Sequence, residues 1–520
     1  MQSTADTNNI AVNIAENISI LHLLHEVPEP PTSNPVLSPI SDGPTEYSLS
    51  FKKERDLTIM LAYISSIKNN RDRVPAVCIK EDKATDRLDI LVAVNASNAA
   101  EKGVLSNIQT KFEEIFKLLP SASTSRNAEK DIFDKIVEVC YTRILERLRL
   151  VSRKDKPPME EHVSDSIDNL EQESLAFAKA AKDLLKKINQ WKKHQHPSEL
   201  TKVVESAYNL SQLPDLESLL DRISNDKMVA DVRRSLLNAI KKVARYRTAA
   251  RVLYRAAKKF PIARRMNFVP VNLHEDEFTK VSETMQSSER GISEALSRTT
   301  LSEGERKQIN SWYGWLKTDH EKADQRFKEQ KMQILAGAKI HAEVQLVFFC
   351  EANNFEPPPR IISSSKDACF LCNALINVHG KHHIPRGHGR LYPGWRLPWF
   401  AVPNSIQILF AKHLEDVISG SITTMIQSQG RIKHPYPNES TAVTVTTSKT
   451  TVGGDDGCRA ISSRSNSPAK LVLAQPVPIH DLKEFGEPAR NLKTKWLWNH
   501  NKSLIRKMEI QYYQRKPKKS

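Results

Sequence analysis

The period of apolar positions changes several times along the chain, and each change marks an element. Residues 55–68 place apolar side chains at helical spacing and predict a helix. Two short apolar runs follow, Val74–Lys80 and Leu88–Val94, separated by the polar segment EDKATDR; they predict a hairpin. From about residue 100 to 335 the pattern is nearly all helical. Within it, Val229, Val232, Leu236, Ile240, Val243, Leu253, Ala257 and Phe260 trace one apolar stripe, with lysines and arginines largely elsewhere on the helix. A helix is then expected from His341 through Cys350, a strand at Arg360–Ser364, a helix from Cys369 to about Val378, and another over 404–427 with Asn404 or Ser405 as N-cap. Residues 1–50, polar and proline-rich after Glu26, are expected to be mostly disordered. Residues 429–468, rich in Ser, Thr and Gly, read as a linker, and Leu471–Pro476 reads as a final strand.

A chain of 520 residues predicts two to four domains. Residues 1–51 contain no Lys or Arg, against a signal or transit peptide, and no apolar run reaches the length of a membrane span. Cys78, Cys140, Cys350 and Cys458 are scattered, as expected in a reducing compartment. The expectation is an intracellular protein, cytoplasmic or nuclear and not secreted. The net charge of +16 is concentrated in Lys227–Arg265 and in a basic tail, Arg490–Ser520, where Trp496, Trp498, Tyr512 and Tyr513 are interleaved. Segments 227–265 and 490–520 are candidate contacts for a polyanion, nucleic acid first; a solvated helix face and a plain basic tail are the alternatives.

The chemistry lies in His341-Ala342-Glu343, followed 28 residues after His341 by Cys369-Phe370-Leu371-Cys372. One imidazole and two thiolates are good zinc ligands, and three protein ligands leave a position for water. Cysteines at the start of a helix are also helped toward the thiolate by its dipole. Glu343 is not needed as a ligand and is the candidate general acid/base. His-x-Glu alone says little, since His413-Leu414-Glu415 repeats it on an ordinary amphipathic helix. A structural zinc site is the competing reading. Cys369, Cys372, His379 and His382 have finger-like spacing, which would make the protein a non-catalytic nucleic-acid or protein binding module. In the stretch His379–Trp399, His388, Arg390 and Trp395 are candidate substrate contacts, since rings stack on bases and Arg pairs with phosphate. A loop packed on the core is the other reading of that stretch. Cys350 reads as a core thiol.

His-Ala-Glu, a strand, then Cys-x-x-Cys opening a helix resembles the cytidine deaminase-like superfamily. The run from His341 to Pro398 resembles a divergent fungal branch of nucleic acid/nucleotide deaminases. The resemblance implies an α/β fold, a mixed sheet of five strands with flanking helices and zinc between two helix N-termini. It also implies hydrolytic deamination of a cytosine or adenine. The superfamily's leading helix and hairpin match residues 55–95, so the domain is split by a large all-α insertion. That gives an N-terminal segment (1–50), a first deaminase part (51–98), the insertion (99–335), a zinc-binding core (336–428), the linker (429–468) and a final strand with basic tail (469–520). Asn95 falls where the superfamily places a substrate-contacting Asn. Ala368 stands where it usually has Pro.

Overall fold

In the computed structural model, residues 4–36, 47–68, 70, 72–98, 102–151, 157–279, 290–399 and 403–437 are described. The expected strand at 471–476 and the tail 490–520 lie outside them. The two apolar runs form β1 (Pro75–Asp82) and β2 (Arg87–Val94), paired antiparallel from Pro75↔Val94 to Asp82↔Arg87. β3 (Met266–Pro270) adds parallel to β2, and β4 (Ile362–Ser364) adds antiparallel to β1. The sheet order is β3-β2-β1-β4. A parallel bridge from Ile361 to His383 extends the β4 side without forming a fifth strand there.

Alternation along β1 and β2 divides the apolar residues between two cores. Val77, Ile79, Leu88, Ile90 and Val92 face one core, formed with the helix Phe51–Ser65 and the helices of residues 102–259. Ala76, Cys78, Leu91 and Ala93 face the other, formed with Thr4–Leu24, His320–Gly337, Ala342–Asn353, Phe370–His379 and Asn404–Ser428. Burial on both faces is why the runs read as continuously apolar. The molecule is thus mixed α/β. Among the described residues no helix is long and apolar enough to cross a membrane.

Two expectations are corrected. The N-terminal segment holds a helix, Thr4–Leu24, in which Ile14, Ile18 and Leu21 are fully buried. Its buried polar groups find partners far along the chain: Glu16 pairs with Arg298 at 2.8 Å, and Asn17 Nδ2 donates to the Ala411 carbonyl at 3.1 Å. The proline-rich continuation is held as a strap. Thr32–Ser33 pairs antiparallel with Arg386–Gly387, and the Leu391 N–H donates to the Glu26 carbonyl. Gly389, at φ +72°, lets the strap come close, since a Cβ there would sit 1.8 Å from the Glu29 oxygen. The composition reads as disordered because this order depends on distant partners.

The insertion, in turn, is not all-α: it supplies β3. Met266 and Phe268 are buried, and Phe268 meets Phe112 edge-on at 5.6 Å. A five-residue strand closed by a proline carries too short an alternation to stand out, and the free edge of β2 makes it a strand. The last helices before His341 belong to the second core, with Phe327 and Ile334 fully buried there.

Candidate functional site

Two helices begin at the site. His341 is the N-cap residue of Ala342–Asn353, and Cys369 is the N-cap residue of Phe370–His379. Both have extended backbone, and Cys369 Sγ turns back to accept the Cys372 N–H at 3.4 Å. His341 Nδ1 lies 3.6 Å from Cys369 Sγ and 3.5 Å from Cys372 Sγ. One donor atom from each of His341, Cys369 and Cys372 falls within 4.8 Å of the others, and both cysteines are buried. Glu343 is also buried, with Oε2 at 3.7 Å from Cys372 Sγ, beside the three donors and outside their set.

The electrostatics fit a cation. Burial alone would raise every thiol here. At Cys369 the hydrogen bond with Cys372 and the neighbouring His341 imidazole outweigh burial and hold the thiol well below its usual range. Cys372, buried beside that thiolate, is pushed well up. Burial opposes a charge on His341, but the Cys369 thiolate wins and raises it. A divalent cation would meet the charge of two thiolates, and soft sulfur with imidazole suits zinc.

Surrounding residues hold the donors in place. Asn95, just past β2, accepts the Ala342 N–H through Oδ1 at 2.8 Å and so fixes the start of the His341 helix. Gln345 Nε2 donates to the Val94 and Ile340 carbonyls, tying that helix to the sheet. Trp395 donates its indole N–H to Cys372 Sγ at 3.3 Å. It is fully buried, its ring tilted against Phe410 at 5.5 Å, so the sequence-predicted substrate contact lies in the wall beside the donor set and not on the open surface. His388 is buried too; Nδ1 accepts the Arg390 N–H, and the ring meets Tyr392 edge-on. Arg390 lies over the rings of Tyr392 and Tyr436, half-buried.

Ala368 forms a parallel bridge with Gly387: its N–H donates to the Arg386 carbonyl at 3.0 Å, and its carbonyl accepts the His388 N–H at 2.8 Å. A proline here would have no N–H to give. Cys350 is a buried thiol 3.9 Å from Cys78. Glu415 of the second His-x-Glu pairs with Arg298, in the packing of the N-terminal helix. The finger-like alternative does not assemble. His379 closes the helix that Cys369 opens, on the order of 15 Å away at 1.5 Å per residue, and groups with Glu351 and His382 instead.

The basic stretch is one helix, Ala230–Lys259, and much of its charge is spent within the fold. Arg247 pairs with Glu129 and Glu205, Lys241 with Glu217, and Arg234 with Asp231. Lys242 and Arg245 differ. With Arg147 they form a like-charged group, in which Arg147 and Arg245 lie over the Tyr63 ring at 4.3 and 4.5 Å. Burial first, then Arg147, lowers Lys242 to about 8 and Arg245 to about 10, and Asp367 opposes both shifts. Arg147, Arg149, Arg234 and Lys242 line a cavity of about 330 Å³. Arg245 lines a smaller one with Ser364, Lys366, Asp367 and Ala368, next to Cys369. The charge run was legible in the sequence, but its partition into paired and clustered cations needs the fold.

A deaminase family model, described as OTT_1508-like deaminase, matches residues 340–399. The matched segment contains His341, Glu343, Cys369 and Cys372 and supports a deaminase family. Neither the curated proteins nor the solved structures give a match to the chain.

Proposed function

We propose that the protein is a zinc-dependent hydrolytic deaminase of a nucleobase, cytosine or adenine, carried in a nucleic acid or nucleotide. The observation that carries the reading is the convergence of His341 Nδ1 and two cysteine sulfurs at paired helix starts, with a buried carboxylate beside them, inside the segment a deaminase family model matches. The order of helix, hairpin, His-x-Glu helix, strand and Cys-x-x-Cys helix supports a cytidine deaminase-like domain, here split by the insertion and completed by the N-terminal helix.

His341, Cys369 and Cys372 would hold the zinc. Bound there, zinc supplies a Lewis acid that brings the acidity of a water near neutral pH. Glu343 removes a proton from the attacking water and delivers it to the ring nitrogen. It then carries the second proton to the departing amino group. Water adds oxygen to the ring carbon, the carbon–nitrogen bond breaks, and ammonia leaves. Asn95 holds the His341 helix start through its oxygen and offers its amide N–H to the substrate. Arg390 is the candidate phosphate contact from the sequence reading. The Arg147, Lys242 and Arg245 group beside the Ser364–Ala368 loop favours a phosphate-bearing carrier over a free nucleoside.

The test is ammonia release from nucleosides, nucleotides, single-stranded RNA and single-stranded DNA, with wild type beside Glu343→Ala and zinc content measured in both. Release by wild type alone is expected. Equal release by both proteins, or none from any substrate by zinc-loaded wild type, overturns the reading.

A further inference from the structure

The helices that bring the first donor set together have a second set at their other ends. Glu351 lies in the last turn of Ala342–Asn353, and His379 is the last residue of Phe370–His379. His382 follows just past the Gly380 cap. One donor atom from each of the three lies within 4.8 Å of the others. His379 Nε2 is 3.2 Å from Glu351 Oε1, and the two imidazoles stack nearly parallel at 5.4 Å.

His382 is the informative residue. It is 4 % exposed, and its Nδ1 lies 2.9 Å from the Pro359 carbonyl oxygen. A carbonyl only accepts, so Nδ1 carries the proton and Nε2 presents a lone pair. That Nε2 is buried and has no hydrogen-bond partner among the described residues. A ring nitrogen fixed by a carbonyl on the other nitrogen is the usual arrangement of a metal-ligating histidine. Two imidazoles and one carboxylate are a zinc donor set. Both helices also point their partial negative ends at this position, which favours a cation.

From this juxtaposition we infer a second metal site, in which Glu351, His379 and His382 bind a zinc-type divalent cation and clamp the C-terminal ends of the two helices. Lys381 places its ammonium 2.8 Å from both Glu351 oxygens. Its side chain is 64 % exposed and free to swing out as the metal takes the carboxylate. The site needs no thiolate and stands whether or not the first site is catalytic.

Zinc per chain, measured on the purified full-length protein after zinc loading and desalting, tests the inference. Two equivalents are expected in wild type and one in His382→Gln. Glu351→Gln, at a partly exposed position, is the second variant should His382→Gln fail to fold. One equivalent is also expected to survive in Cys369→Ser/Cys372→Ser. In the cobalt-loaded protein, a thiolate-to-cobalt absorption band should persist in His382→Gln and vanish in the cysteine variant, which separates failure of one site from failure of the other. A folded wild type that binds no more than the one equivalent removed by the cysteine variant overturns the second site. So do folded His382→Gln and Glu351→Gln proteins that keep both equivalents.

Discussion

The helices Ala342–Asn353 and Phe370–His379 bring together a candidate metal-donor set at each end, and the two ends are built differently. At the N-terminal ends are two thiols and an imidazole, with Glu343 beside them. At the C-terminal ends are two imidazoles and a carboxylate that itself belongs to the donor set. Helix polarity fits the sorting: positive helix starts favour thiolates, and negative helix ends favour a cation. Reactivity needs more than donors. Beside the first set stands the Glu343 carboxylate, outside the donors; in the second set the carboxylate is itself one of the three donor groups. Cys372→Ser should break the comparison most completely. Activity is expected to fall below detection and the first equivalent of zinc to be lost, while the Glu351 set keeps its metal. Metal analysis beside an ammonia assay checks both halves.

Glu343→Gln sharpens the same contrast by leaving every donor in place. Zinc content should match wild type, while kcat and kcat/KM fall together by about 100- to 10,000-fold, the usual worth of a positioned proton carrier. A variant that loses zinc as well would show that Glu343 is a donor, making the two ends alike.

The N-terminal ends were the more legible part of the sequence. His341, Glu343, Cys369 and Cys372 sit on short-range motifs, and local spacing sets which helix start each occupies. The hairpin was legible too, because Val77, Ile79, Leu91 and Ala93 form unbroken apolar runs between turn residues. What escaped depends on distant partners. Glu16 and Asn17 look unsuited to a core until Arg298 and Ala411 are brought to them. β3 is a strand because β2 offers an edge. Glu351 is separated from His379 by 28 positions and carries no spacing signature, so only the packing of the two helices joins them.

Trp395→Phe should have a smaller effect, confined to the N-terminal ends. It removes the N–H that reaches Cys372 Sγ while keeping most of the ring packed on Phe410. Groups that support a metal ligand in this way are worth about 10- to 100-fold in metal affinity or activity. Competition with a chelator should therefore show weakened binding of the first equivalent and none of the second. Equal weakening of both would mean that the indole acts through the general packing of the helix pair.

The smallest effect is expected from Ala368→Pro, which introduces a proline immediately before the first cysteine. In this chain the segment before Cys369 is held by a backbone bridge, and the Ala368 N–H is one of its two hydrogen bonds. The partner segment, Arg386–His388, is also paired on its other side with Thr32–Ser33, so the strap and the Cys369 helix start share one short ladder. Proline deletes the N–H and leaves the Arg386 carbonyl without it, which costs about 1 kcal/mol. Denaturant unfolding of the zinc-loaded protein measures this, and the His382 end should be untouched. A variant as stable as wild type would mean that the strap alone positions the loop. The bridge at Ala368 would then be a consequence of the N-terminal segment's docking and not an independent anchor of the loop.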